Sequence, residues 1–287
     1  MNKPLINKLA IIGVGLMGGS LAMILKEKGE VGEVIGIGRG VENLQRAQEL
    51  GIIDRYTQSL KEGLADADVV VVAIPVASIV NVIERGQQYM KDGAIITDVG
   101  SVKGDIVKDV DMILDGRLSF IGGHPIAGTE KSGADAAFAE LYNGSRCILT
   151  PSLFSDENAL ETIKKMWELT DARVVVMDVE AHDKILAAIS HLPHIVAYAL
   201  VNTVDGIKDF NESILKYSAG GFRDFTRIAS SSPEMWRDIC LMNKTALLDL
   251  IDAYVSELGN MRTMINEDDG QGLMENFERS KNARDSI

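Results

Sequence analysis

Cysteine is nearly missing from this sequence: there are 2 in 287 residues, Cys147 and Cys240, far apart and with no CxxC or Cys/His spacing. That argues against a disulfide-stapled scaffold and against a cysteine zinc site, and it reads as two free thiols in a reducing compartment. Excess positive charge is missing as well. Lys and Arg number 29 against 42 Asp and Glu, a net charge of -13. Nucleic acid and acidic membrane surfaces are thereby poor partners, because phosphate binding needs clustered basic residues. An anionic small molecule held in a local basic pocket stays open. No window approaches the ~20 apolar residues of a membrane span. The N-terminal "MNKPLINKLAIIGVG" runs straight into glycines without a cleavage site, so no signal peptide is read and a cytoplasmic location is expected. What is present is ordinary for a globular protein, with 46% hydrophobic and 25% charged residues, and is enough for two domains or one large one.

From residue 9 to about 178, short β-branched runs alternate with helical patterns. "LAIIG", "EVIGIG", "DADVVVVAIP", "GAIITDVG", "SFIGG", "CILTP" and "RVVVMD" are the strands. Runs of four to six apolar residues without alternation point to strands covered on both faces, as in a parallel sheet of βαβ units. From Glu180 onward only helical patterns occur. The expected organisation is an α/β doubly wound dinucleotide-binding domain over residues 1–179 and an all-α domain over 180–287. "PEMWRDICLMNKTALLDLIDAYVSELGNMRTMIN" reads as one long helix, with Ile239, Met242, Leu247, Leu250, Ile251 and Tyr254 over much of its circumference. Such a helix is normally buried. With so few residues in this half, the same half of a second subunit is the expected cover, giving a homodimer through the C-terminal helices.

"AIIGVGLMGGSLA" places Gly13, Gly15 and Gly18 as G-x-G-x-x-G directly after a strand and at the opening of a helix. The first glycine allows the tight turn, the second lets the backbone approach a pyrophosphate, and the third permits close helix–strand packing. Leu16 and Met17 begin the helix, whose first N–H groups face the phosphates. An NAD site usually has an acidic residue about 20 positions on. Here that position is Gly38, followed by Arg39, so a 2'-phosphate meets no carboxylate and Arg39 is available to bind it. NADP is favoured, with NAD or dual use still open.

"GGHPIAGTEKSG" mounts one of only four histidines, His124, on a stretch lean in side chains. Like "DVGSVKG", it starts where a strand stops, and ligands collect at the carboxyl ends of strands in open α/β sheets. A histidine there suits removal of a hydroxyl proton near neutral pH. A structural histidine bonded to backbone is the alternative. "SHLPH" sets His191 and His194 three apart on one helix face, but no third metal ligand stands at plausible spacing, so no metal is expected.

Taken jointly, the glycine loop, "DVGSVKG", "GGHPIAGTEKSG", "ILTP", "SHLPH" and "GGFRDFTRIASSSPEMW" closely resemble the prephenate and arogenate dehydrogenase family of tyrosine biosynthesis, over nearly the whole chain. The resemblance implies that His124 is the catalytic base and that Ser101 bonds the reacting hydroxyl and orients it. It gives Arg227 a substrate carboxylate, and His194 the ring carboxylate with Ser190 nearby. Thr129 is counted among the substrate-binding residues, and Glu130 with it, near the pocket mouth, where a solvated surface charge is the other reading of Glu130. Trp236 is placed near the substrate, with core packing equally ordinary. For His191 a structural role and a substrate contact stand level; His182 is assigned to the domain junction without chemistry. The implied reaction is oxidative decarboxylation of a dianionic cyclohexadienol, prephenate or alternatively arogenate, driven by aromatisation. Two other classes would carry different signatures. A 3-hydroxyacid dehydrogenase would need a catalytic lysine such as Lys184, and a dinucleotide sensor would lack the base or the anchor.

Overall fold

The computed structural model describes residues 3–129, 131–208 and 213–287. Among these, eight strands form one sheet: β1 (Ile6–Ile12), β2 (Val31–Ile37), β3 (Arg55–Thr57), β4 (Val69–Val72), β5 (Ile95–Asp98), β6 (Ser119–Pro125), β7 (Arg146–Pro151) and β8 (Arg173–Val176). Their order is β3-β2-β1-β4-β5-β6-β7-β8, so the first six follow the doubly wound dinucleotide-binding order. The helices of this half are α1 (Leu16–Glu27), α2 (Val41–Glu49), α3 (Leu60–Leu64), α4 (Ile79–Gly86), α5 (Gly104–Ile113) and α6 (Glu157–Glu168).

Both sheet faces are covered, which is why the strands read as unbroken apolar runs. Alternation decides the face for each side chain. Leu9, Ile11, Val69 and Val71 join Leu21, Leu25, Ile163 and Trp167 in one core. Ala10, Ile12, Val70 and Val72 join Ile79, Ile83, Ile106 and, from the helical half, Trp236 and Ile239 in the other. One face of the sheet therefore shares its core with the C-terminal helices.

Two strand expectations need correction. β7 runs antiparallel to β6, pairing Ile148 with His124, rather than continuing the parallel pattern. A parallel return needs a crossover that is usually a helix; the chain between them forms short 3-10 turns at Ala134–Ala136 and Ala139–Tyr142. The edge strand β3 is absent from the sequence reading, because three residues are too few to carry a pattern.

After β8 no described residue is in a strand. There follow α7 (Val179–Leu186), a π-turn (Ala187–His191), α8 (Leu192–Asp205), α9 (Gly220–Thr226), α10 (Pro233–Met242), α11 (Lys244–Asn266) and α12 (Gly270–Arg284). The single long helix expected from Pro233 is in fact two. It breaks at Asn243 (φ -107, ψ 36), whose buried amide donates to the Asp183 carbonyl at 2.8 Å. Of the positions taken as its buried stripe, Ile239 and Leu247 are buried, whereas Leu250, Ile251 and Tyr254 are half-buried. Val255, Leu258 and Ile265 beyond them are exposed, so the described residues do not cover this part of α11. The expectation about apolar length is also corrected. The stretch Val179–Asp205, 27 residues with a mean hydropathy of 1.5 over its most apolar window, is long and apolar enough by composition to cross a membrane. A π-turn joins what the sequence shows as separate apolar patches into one rod, and the same rod carries three of the histidines.

Candidate active site

The three fingerprint glycines differ in what surrounds them, and the difference matches their separate roles. Gly13 has φ +97, and a Cβ there would strike the Ala73 carbonyl. A Cβ at Gly18 would lie 2.5 Å from the Gly13 oxygen and 2.7 Å from Ile11 Cγ2. Of the three, Gly15 opens onto space, with Gly133 N at 3.9 Å the one atom near its missing Cβ among the described residues. The first turn of α1, starting at Leu16, has no side-chain cap, so its N–H groups remain for an anion. Met17 does not offer its carbonyl there; that oxygen accepts from the Tyr142 hydroxyl at 2.6 Å. The arrangement fits a dinucleotide pyrophosphate. At the end of β2, Gly38 has only the Leu44 side chain nearby, at 3.4 Å from a would-be Cβ. Arg39 is exposed, and its carbonyl takes the Gln58 amide at 2.6 Å.

His124 stands near the end of β6 and is 8% exposed. Its Nδ1 lies 2.8 Å from His182 Nε2, and His182 Nδ1 lies 2.7 Å from Asp183 Oδ1. Asp183 also accepts the backbone N–H of Lys103 at 2.9 Å and of Gly104 at 2.8 Å. It thus caps α5, which has no side-chain cap of its own, from across the molecule. These donors hold the Asp183 carboxyl below its ordinary range despite burial. A carboxylate can only accept, so His182 donates from Nδ1 and accepts at Nε2 from His124 Nδ1–H. His124 is left with its Nε2 lone pair as the free basic site. Burial first, then the Lys103 ammonium and the neighbouring histidines, push the His124 pKa well below 6.5. At neutral pH it is an uncharged base.

The circle closes through a second buried pair. Lys103 and Asp98 are both fully buried and meet at 2.6 Å. Asp98 accepts Gly100 N at 2.8 Å and Gly123 N, the residue before His124, at 3.0 Å. Removing one partner of such a pair costs about 3–5 kcal/mol by stranding a charge. The Ser101 segment and the His124 segment are therefore fixed to one carboxylate. The bare backbone of Gly122 leaves room for this: a Cβ there would strike Thr150 Oγ1 and lie 3.1 Å from Lys103 Cδ.

A cavity of about 640 Å³ gathers Ser101, His124, Thr129, Ser190, His194 and Arg227, with Lys131 at its edge. No described lining residue carries a carboxylate, although the protein as a whole is strongly acidic. Glu130 lies outside the described residues. His194 donates from Nδ1–H to the Ser190 carbonyl, 2.9 Å away, and stacks on Trp236 with ring centroids 3.6 Å apart. Trp236 is 7% exposed and stands behind His194 rather than in the cavity wall. Burial, with Arg227 adding repulsion, lowers the His194 pKa. His191 does not reach the cavity. It is fully buried, 3.2 Å from the Asn243 amide and edge-on to Trp236. Lys184 points into solvent beside Glu180. Among the described residues no cluster of three or more His, Cys, Asp or Glu is placed to hold a metal.

Comparison with known proteins decides the family. Residues 21–176 match the family described as prephenate dehydrogenase, nucleotide-binding domain, and residues 178–279 match prephenate dehydrogenase, dimerization domain. The chain belongs to the prephenate dehydrogenase family. It is similar to the prephenate dehydrogenase of Bacillus subtilis, with 39% identity over 97% of this chain and 76% of that protein. The cyclohexadienyl dehydrogenase of Zymomonas mobilis is 38% identical over 96% of this chain and 94% of that one. Among solved structures, Aquifex aeolicus prephenate dehydrogenase in complex with hydroxyphenyl propionate and NAD+ superposes with a TM-score of 0.91, at 38% identity and 97% coverage of both chains.

Within this family framework, the residues that sequence reading passed over are His182, Asp183, Asp98 and Lys103. "EAHDKI" held the only available signal, an adjacent His–Asp pair in a chain with few histidines. His191 generates a prediction about stability. Burial pushes its pKa down to about 4, against about 6.5 when unfolded. As pH falls from 6.5 to 4, the unfolded chain takes up a proton that the folded one refuses, so stability drops across that window. Denaturation midpoints measured from pH 7 to 4 are expected to fall less steeply in His191→Gln than in the parent chain.

Proposed function

We propose that the chain catalyses oxidative decarboxylation of prephenate to 4-hydroxyphenylpyruvate, with hydride transfer to NAD(P), as a step in tyrosine biosynthesis. The observation that carries this reading is a neutral, relay-backed imidazole facing a cavity whose described charged side chains are cationic. His124 Nε2 takes the proton of the ring hydroxyl. A dinucleotide held at Gly13, Gly15 and the uncapped first turn of α1 would supply the hydride acceptor for the same carbon. The bond to the ring carboxylate then breaks, carbon dioxide leaves, and its electron pair completes the aromatic ring. Ser101 is read as holding the reacting hydroxyl, Arg227 as gripping a carboxylate in bidentate fashion, and His194, Ser190 and Thr129 as lining the substrate. Trp236 acts through His194 by fixing the plane of its ring.

The proton that His124 gains does not need to stay on one ring. His124 Nδ1–H points at His182, and a charge arising there is shared toward the Asp183 carboxylate, so proton uptake in a dry site is offset by a fixed anion. The Gly38–Arg39 pair supports NADP over NAD. We take residues 1–179 as the dinucleotide domain and 180–287 as the substrate and dimer domain. The exposed Val255, Leu258, Met274 and Phe277 on α11 and α12 support a homodimer through these helices. Free thiols at Cys147 and Cys240 support a cytoplasmic setting.

Replacing His124 by Asn is expected to lower kcat by roughly 10²–10⁴ while substrate-analogue binding changes little; undiminished turnover with prephenate overturns the assignment. Because the His124 pKa is depressed, the base stays competent as pH falls past 6.5. The acid limb of kcat/KM should lie below that value, and an inflection at or above 6.5 contradicts a buried base. His182→Gln should lower kcat by up to about 10² with KM nearly unchanged and should move the same limb. Turnover with arogenate alone replaces prephenate as substrate. Gly38→Asp, which has room for its side chain, is expected to shift the NADP/NAD ratio of kcat/KM by on the order of tenfold toward NAD, equivalent to ~1.4 kcal/mol; an unchanged ratio removes Gly38 and Arg39 from cofactor choice.

A further inference from the structure

The segment that leaves the catalytic strand does not simply return to the sheet. After lining the cavity through Ser132, it crosses the mouth of the glycine loop. Among the described residues Gly133 N is the one heavy atom near the open side of Gly15, at 3.9 Å from its would-be Cβ. Asn43 of α2 bridges the glycine loop and the 3-10 turn that follows. Asn43 Nδ2 donates to the Val14 carbonyl at 2.7 Å, and Asn43 Oδ1 accepts Ala134 N–H at 2.9 Å. Val14 sits between the first two fingerprint glycines, and Ala134 directly follows the cavity-lining loop. Gly133 takes φ +85, and a Cβ there would lie 3.4 Å from Asn43 Oδ1.

We propose that Asn43 is a positioning residue through which dinucleotide bound at the glycine loop orders the loop that lines the substrate cavity. The primary amide suits this role because it offers one donor and one acceptor in a fixed plane. Its donor end holds the Val14 carbonyl aside, so that the N–H groups of the next residues face the phosphates. Its acceptor end anchors the last turn of the cavity loop to the same point. A dinucleotide that rigidifies the glycine loop thereby restricts the cavity-lining residues next to the turn, Lys131 and Ser132, and the substrate that binds next has less ordering left to do. The ion pair between Arg46 and Asp135 at 2.7 Å ties α2 to the same 3-10 turn, and the other partner of Arg46 is Glu49 on its own helix. It provides an internal control.

This inference rests on the dinucleotide reading of the glycine loop, and the experiment separates the two. Hydroxyphenyl propionate is titrated by calorimetry into the parent chain, Asn43→Ala, Asn43→Asp and Arg46→Ala, each with and without saturating NAD+ or NADP. In the parent chain the dinucleotide is expected to tighten analogue binding about fivefold or more, the lower end of ordinary coupling. In Asn43→Ala that factor should fall below about two, with dinucleotide-free analogue affinity retained. Asn43→Asp keeps the shape and the acceptor but cannot donate to Val14, and its factor should fall as well; Arg46→Ala should keep the parent value. A parent chain that binds no dinucleotide overturns the cofactor reading and this inference together. A parent chain that binds dinucleotide without tightening the analogue, or Asn43 variants that keep the full factor, overturn this inference alone.

Discussion

The Asp183 carboxylate accepts two backbone N–H groups from the start of α5 and an imidazole N–H from its own neighbour. Those three bonds come from different levels of the structure. Two belong to the helix that follows the Ser101 segment, and the third belongs to a ring that touches the base. A buried carboxylate without donors would be costly; with three it becomes a fixed negative charge at a helix N-terminus. The helical half of the chain is thus joined to the sheet half at the place where chemistry is expected, and the imidazole of His124 inherits its orientation from that junction.

A second constraint runs through the Asp98–Lys103 pair. A fully buried lysine is rare unless paired, and this one also donates to the carbonyls of Gly100 and Val102 at 2.8 and 3.0 Å. Its pairing fixes the loop after β5, while the other oxygen of Asp98 fixes the backbone before His124. The base is therefore held from both sides, by its ring and by its main chain. Small residues at positions 122 and 123 follow from this crowding rather than from flexibility.

Much of this was legible in the sequence, for physical reasons that can be named. The glycine spacing and the runs "VVVV" and "AII" depend on near neighbours and on two-sided burial, both of which leave local patterns. The cavity residues Ser101, His124, Ser190, His194 and Arg227 were found because their motifs resemble those of a family. What was not legible depends on distant packing. His182 meets His124 across 58 positions, and nothing local distinguishes a relay histidine from a junction one. Asn43 sits in an ordinary amphipathic helix. The direction of β7 depends on what lies between two strands, and the break at Asn243 depends on a carbonyl 60 positions away.

The π-turn at Ala187–His191 acts as a phase adjuster in the rod that carries the site. An α-helix advances about 100° per residue, and a π-turn accommodates one extra residue without ending the rod. His182 and Asp183 lie before it, and His194 lies after it. The two groups can therefore be aimed at different partners, the junction on one side and the open pocket on the other, along a single continuous element. The extra residue shifts the face on which every later residue falls by about 100°, nearly a third of a circle, relative to an unbroken α-helical count. Substrate recognition and proton handling are in this sense separately adjustable on one helix.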